Sequence, residues 1–231
     1  MTGHIVLIRH NDDPADDRVA AYFHETGRAT TTCRPLRGDL AALSTDPAQV
    51  AGTVIFGGKY GLDRYTDHPF LADEARWIET CLARDVPTLG ICQGAQQIAH
   101  VLGARVGPRP DDRTEFGYYV ITATPEGRRI FPDTLTVLQN HFHGHTLTAG
   151  MTRLAASDTF PNQAFQYGPA YGFQFHAEVT LTGLRRWQNA SWAPYDQPGA
   201  QDRATQNRLA QISDPPMDRW FRATLAHIFD P

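Results

Sequence analysis

Cysteine is scarce in this chain: Cys33, Cys81 and Cys92 are the only three in 231 residues. An odd, low count argues against a disulfide framework, and no two of them lie at metal-ligand spacing. Long apolar runs are also missing. The run Ile5-Val6-Leu7-Ile8 is typical, far short of the ~20 residues of a membrane span. The opening Met-Thr-Gly-His lacks the basic stretch and apolar core of a secretory leader. Net charge is −4, which offers nothing to nucleic acid or an anionic membrane surface. No P-loop and no dinucleotide fingerprint occurs. These absences predict a cytoplasmic protein without cofactor or metal. The ten histidines are scattered, and His141, His143 and His145 alternate without a clear ligand geometry.

What is present alternates strand and helix patterns. Ile5–Arg9, Thr30–Arg34, Gly52–Phe56 and Val86–Ile91 read as strands. Helices are expected over Ala15–Glu25, over a segment burying Leu71, Ala75, Ile78 and Leu82, and over Gly94–Leu102. Such βαβ alternation predicts a three-layer, flavodoxin-like α/β fold, its mostly parallel central sheet flanked by helices. After Gly107 the character changes. Phe116–Ala123, Leu135–Gln139, Arg153–Ser157, Gln163–Tyr167 and Tyr171–His176 read as extra antiparallel strands extending the same sheet. From Leu181 the pattern is helical again, and Pro215-Pro216 predicts a last helix that starts there, with Met217, Trp220, Phe221, Leu225 and Ile228 on one face. One domain over 1–231 is expected, with a core over about 1–180 and a helical extension beyond it. Trp187, Trp192, Trp220 and Phe221 are expected to pack on the core rather than cover a docking face.

One cysteine has a chemical context. Gly90-Ile91-Cys92-Gln93-Gly94 lies between a buried strand and a helix, the spacing of a nucleophile elbow. A sharp strand-to-helix turn strains the nucleophile's backbone, and glycines on both sides let the chain pass closely. It also sets the sulfur at a helix N-terminus, where free N–H groups and the dipole favour a thiolate. Far downstream stands His176-Ala177-Glu178. On a strand, residues two apart share a face, so Glu178 can orient the His176 ring toward Cys92. Acyl transfer also needs oxyanion donors. The Gln93 N–H and Gly57-Gly58, where only glycine admits such close backbone approach, are the candidates.

In this order, Phe56-Gly57-Gly58, Leu89-Gly90-Ile91-Cys92-Gln93-Gly94-Ala95-Gln96 and Gln174-Phe175-His176-Ala177-Glu178 resemble the class I glutamine amidotransferase family. Glu115-Phe116-Gly117 and His143-Gly144-His145-Thr146 add support. The likeness runs from about Ile5 to Val179 and points most to stand-alone GMP synthase-type glutaminase domains. The resemblance implies a Cys92-His176-Glu178 triad that releases ammonia from glutamine through a γ-glutamyl thioester. It further implies an oxyanion hole at Gly58 and Gln93, and substrate contacts at Gly57, Gln96, Phe142, His143 and Gly144. Three positions depart from the family pattern: Lys59 and Ala177 stand where proline is usual, and His145 where aspartate is usual. Lys59 either meets a substrate carboxylate or is a solvated loop side chain. The implied partner is a separate synthetase or ligase that uses the ammonia. The competing expectations are a free-standing γ-glutamyl amide hydrolase and a non-catalytic binding protein on the same fold.

Overall fold

The computed structural model describes residues 3–42 and 49–230. Strands β1 (His4–Ile8), β2 (Thr30–Cys33), β3 (Val50–Ile55) and β4 (Thr88–Ile91) pair in parallel, and β4 pairs in parallel with β11 (Ala170–Phe173). Beyond β11 the same sheet continues antiparallel through β10 (Ala164–Tyr167), β9 (Thr152–Ala156), β6 (Glu115–Ala123) and β7 (Thr134–His141). The full order is β2-β1-β3-β4-β11-β10-β9-β6-β7. A small antiparallel pair, β5 (Val106–Pro108) and β8 (His143–His145), stands apart. The expected antiparallel extension of a parallel sheet is therefore what the chain forms.

Strand alternation sorts the core into two layers. Ile5 and Leu7 face α1 (Arg18–Glu25) and α6 (Arg203–Phe229), joining Val19, Phe23, Phe221 and Phe229. Val6 and Ile8 face the other way, joining Trp77 and Ile78 of α3 (Phe70–Ala83) and Ile98 of α4 (Gln93–Val101). Helices α2 (Asp39–Ala42) and α5 (Leu181–Asn189) complete the set.

Several boundaries differ from the sequence reading. Helix α1 starts at Arg18 rather than Ala15, because the Asp17 side chain caps it by accepting from the Ala20 N–H at 2.9 Å. On α3, Ala75 and Leu82 are only half-buried, and the inward face is Leu71, Glu74, Trp77, Ile78 and Cys81. Glu74 is tolerated there because His10 and Gln97 bond its carboxylate. Most notably, Pro215 and Pro216 do not open a helix. They lie inside α6, which runs 27 residues. The two missing donors fall opposite the carbonyls of Gln211 and Ile212, both exposed residues, on the solvent side of the helix where losing an in-helix bond costs least. Burial of Ala210 on one side and Met217 and Phe221 on the other carries the helix through.

Candidate functional site

All the parallel strands deliver their C-terminal ends to one edge of the sheet, the edge at which ligands bind in open α/β sheets. Arg9 and His10 follow β1, Phe56-Gly57-Gly58 follow β3, Cys92 follows β4, and Gln174 to Glu178 follow β11. Residues from all four ends line a cleft of about 690 Å³.

Cys92 has φ 51° and ψ −107°, a conformation that costs a side-chain-bearing residue free energy. The surroundings hold it. Its N–H donates to the Phe173 carbonyl at 2.7 Å, and its carbonyl accepts from the Gln96 N–H at 3.0 Å. A Cβ at Gly94 would lie 2.1 Å from the Ile55 carbonyl oxygen, so this turn accepts glycine alone there. The Cys92 sulfur has the Gln174 Nε2 at 3.7 Å and the Asn140 carbonyl at 4.0 Å. Cys33 and Cys81, by contrast, lie in the apolar layer, and burial pushes both thiols up to about 12.

His176 and Glu178 meet as expected, but not on a strand. Strand β11 ends at Phe173, and the chain bends through Gln174 and Phe175 into a turn at Ala177-Glu178. Within that turn the His176 Nδ1 lies 2.8 Å from the Glu178 Oε1, with both side chains buried. The His176 N–H donates to the Leu138 carbonyl at 2.8 Å, which fixes the ring's base. Burial opposes charge on this imidazole, yet attraction to the Glu178 carboxylate and to the Cys92 sulfur, with hydrogen bonds to both, raises it to about 10. A Cβ on Gly57 would stand 2.8 Å from the His176 Cε1 and 3.5 Å from the Cys92 Cβ. Gly57 is therefore the point where thiol, ring and backbone crowd together.

The turn itself is clamped. The Arg18 N–H donates to the Glu178 carbonyl at 2.8 Å. The Arg18 guanidinium donates to the carbonyls of Ala177 and Val179, to both oxygens of Asp214 at 2.7 and 2.8 Å, and reaches Asp218 at 2.8 Å. Helix α6 thus steadies the segment that bears Glu178.

The remaining sequence candidates divide. Gly57, Gly58 and Phe142 line the cleft. Gly58 stands against the Gln93 side chain, whose Oε1 would be 2.5 Å from an added Cβ and accepts from the Tyr60 N–H at 2.9 Å. Gln93 opens α4, so its N–H precedes the first in-helix bond. Gln96 lies behind the cleft wall, donating to the His143 carbonyl at 3.2 Å and to the Gln174 Oε1 at 3.1 Å. His143 and Gly144 form β8 beneath it, and burial lowers the His143 imidazole. Lys59 is exposed on the cleft rim. As expected, Phe221 is buried in the core, Trp220 stacks on Phe131 and half-buried Trp187 packs against the core, though Trp187 also lines the cleft; Trp192 lines the cleft and stays exposed. Among the described residues no group of His, Cys, Asp and Glu is placed to hold a metal ion, and no helix is long and apolar enough to cross a membrane.

Two features escaped the sequence reading. Gln174 donates to the Cys92 sulfur while its Oε1 accepts from Gln96 and His145. This fixes the amide's orientation, and burial holds His145 down to about 4, neutral with Nδ1 as donor. The other is a fully buried pair, His10 Nε2 to Glu74 Oε1 at 2.7 Å, beneath Gly57 and Gly58.

A strained cysteine at the crest of a parallel sheet thus faces a carboxylate-backed imidazole. The sequence model of the class-I glutamine amidotransferases matches residues 15–186, and the chain belongs to that family. The glutamine amidotransferase-like protein YfeJ of Salmonella typhimurium is 43% identical over 104 residues, 42% of each chain. The glutamine-hydrolysing GMP synthase of Saccharomyces cerevisiae is 30% identical over 135 residues, covering 56% of this chain and 24% of that enzyme. These matches span less than half the length of either relative. A glutamine amidotransferase of Thermotoga maritima superposes over all of both chains with a TM-score of 0.88 at 28% identity. One from Methylobacillus flagellatus, covering all of this chain and 93% of its own, has a TM-score of 0.85 at 19% identity and shares the fold.

Proposed function

We propose that the chain hydrolyses the side-chain amide of glutamine through a γ-glutamyl thioester on Cys92, supplying ammonia to a separate synthetase. The observation that carries this reading is the convergence of the Cys92 side chain and the His176 ring on Gly57, with Glu178 behind the ring.

The chemistry follows from the charges. Cys92 as thiolate attacks the amide carbon, and the oxygen takes the negative charge. The N–H groups of Gly58 and Gln93 receive that oxyanion. On collapse the C–N bond breaks, and the leaving nitrogen takes a proton from the His176 imidazolium. Water then attacks the thioester while neutral His176 accepts its proton. Expulsion of the thiolate releases glutamate and restores the starting pair. Glu178 stays ionised throughout and keeps Nδ1 protonated. Gln96, His143 and Gly144 act by shaping the wall behind the substrate, and Gly57 and Phe142 by direct contact. The need for a synthetase partner rests on relatives that are glutamine-hydrolysing GMP synthases.

A free-standing γ-glutamyl amide hydrolase is the second reading, favoured by one observation. A cleft of about 690 Å³ holds a drug-sized ligand, far more than a glutamine side chain. Incubating the pure protein with glutamine and with γ-glutamyl amines, and measuring ammonia and amine release, separates the two. Turnover of amines without a partner supports the hydrolase, and glutamine turnover restored only by a co-purifying synthetase supports the first reading. Full activity in Cys92→Ala overturns both.

A further inference from the structure

We infer that the cleft beyond the scissile amide is an aromatic subsite, and that the amine half of the substrate is bulky and apolar, carrying an aromatic ring. This rests on, and specifies, the second of the two readings above, the free-standing γ-glutamyl amide hydrolase. The leaving nitrogen must take its proton from His176, so whatever that nitrogen carries projects from the His176 side of the cleft. That side is aromatic. Trp187 of α5 stands edge-on to His176, ring centroids 4.9 Å apart at 83°, and Trp192 stands 6.5 Å from Trp187. Both line the cleft with Cys92, as does Phe142. Trp192 is 56% exposed and Phe142 60% exposed. Large rings left this open beside a reactive centre mark an unfilled apolar contact rather than core packing.

Charge on the same walls does not call for an ionic amine. Apart from the triad, three basic side chains (Arg9, Lys59, Arg186) face three acidic ones (Asp13, Asp16, Asp17). Arg9 pairs with Asp17 and Arg186 with Asp16, each at 2.6 Å, and Lys59 and Asp13 carry opposite signs. The match to the family ends at residue 186, so Trp187 and Trp192 lie outside the stretch that the family pattern describes.

The test compares γ-glutamyl-2-phenylethylamide with γ-glutamylethylamide, γ-glutamylglycine and glutamine. Two quantities are read on the intact protein: kcat/KM for amine or ammonia release, and the concentration that half-protects Cys92 from iodoacetamide. The phenylethylamide is expected to exceed the ethylamide about tenfold or more in both, since a ring leaves water for an apolar site. In Trp192→Ala that ratio falls toward one, and Trp192→Phe largely restores it. Turnover or protection with a wild-type ratio at or below one overturns the aromatic subsite while leaving the amidase standing. Preference for γ-glutamylglycine assigns the space to Lys59 and overturns it too. Neither turnover nor protection by any of the four overturns the amidase reading and this inference with it.

Discussion

A methyl group at Gly57 would press on the His176 ring at 2.8 Å while the backbone there, outside the left-handed region, tolerates alanine. The ring is held at its base by the His176–Leu138 bond and at Nδ1 by Glu178, so it must swing away from the thiol. Gly57→Ala is expected to fold normally by circular dichroism and to lose about a hundredfold in kcat, since a displacement of an ångström at a reacting pair costs that much. Unchanged kcat contradicts the crowding. At this scale the cysteine, the histidine and the glutamate were legible because each sits in a short motif with a mechanical reason for its spacing. The expected strand geometry of the last two was not needed, as a turn brings them together equally well. Gln174, His10 and Glu74 were not legible. Their partners lie 82 and 64 residues away in sequence, and no local pattern marks a polar residue that finds its bond across the sheet.

At the scale of elements, α6 matters most. The sequence shows an amphipathic helix but misplaces its start, because proline reads locally as an opening signal while tertiary burial decides the outcome. What the helix does is visible only in space: Asp214, buried and bidentate on Arg18, holds the guanidinium that grips the Ala177–Val179 turn. Asp214→Asn leaves a buried cation short of its counter-charge, at a cost of about 3 kcal/mol. For a chain of this length that lowers Tm by roughly 6–12 °C in calorimetry. Below the new transition, kcat is expected to fall more than KM rises, because Glu178 loosens while the cleft walls stay. A Tm within a degree of wild type contradicts the clamp. Trp187 of α5 packs on the core as its spacing suggests, and only the folded chain reveals that its ring also meets His176 at 4.9 Å and that Trp192, just past the helix, stays exposed at the cleft.

For the whole molecule, layer order and sheet direction were legible from alternating apolar periods, as was the antiparallel extension, since buried βαβ strands and hairpin strands differ in pattern. Two buried histidines give the molecule a pH signature. His145 is held at about 4 in the fold against 6.5 unfolded, so the unfolded chain binds the extra proton between those values and stability rises with pH there. His176 is raised to about 10, so the folded chain holds the extra proton above 6.5 and stability falls as pH climbs. Each limb slopes by about 1.4 kcal/mol per pH unit at most. Buried Cys33 and Cys81 add to that fall above the ordinary thiol value of 9.0, where the unfolded chain loses protons that the fold retains. Urea titrations are expected to show greatest stability near pH 6.5, with His176→Asn flattening the fall from 6.5 to 9. Stability that rises over that interval contradicts the imidazolium assigned to His176.

The account stands on a covalent glutamyl group forming at one sulfur, and mass spectrometry reads this directly. Protein mixed with saturating γ-glutamyl amide, quenched in acid and digested, is expected to carry a glutamyl residue on the peptide containing Cys92, on no other cysteine, and in far lower yield when His176 is replaced by Asn and the leaving nitrogen loses its proton donor. Steady amide turnover with Cys92 unmodified at every quench time, or an adduct on Cys33 or Cys81 instead, contradicts it.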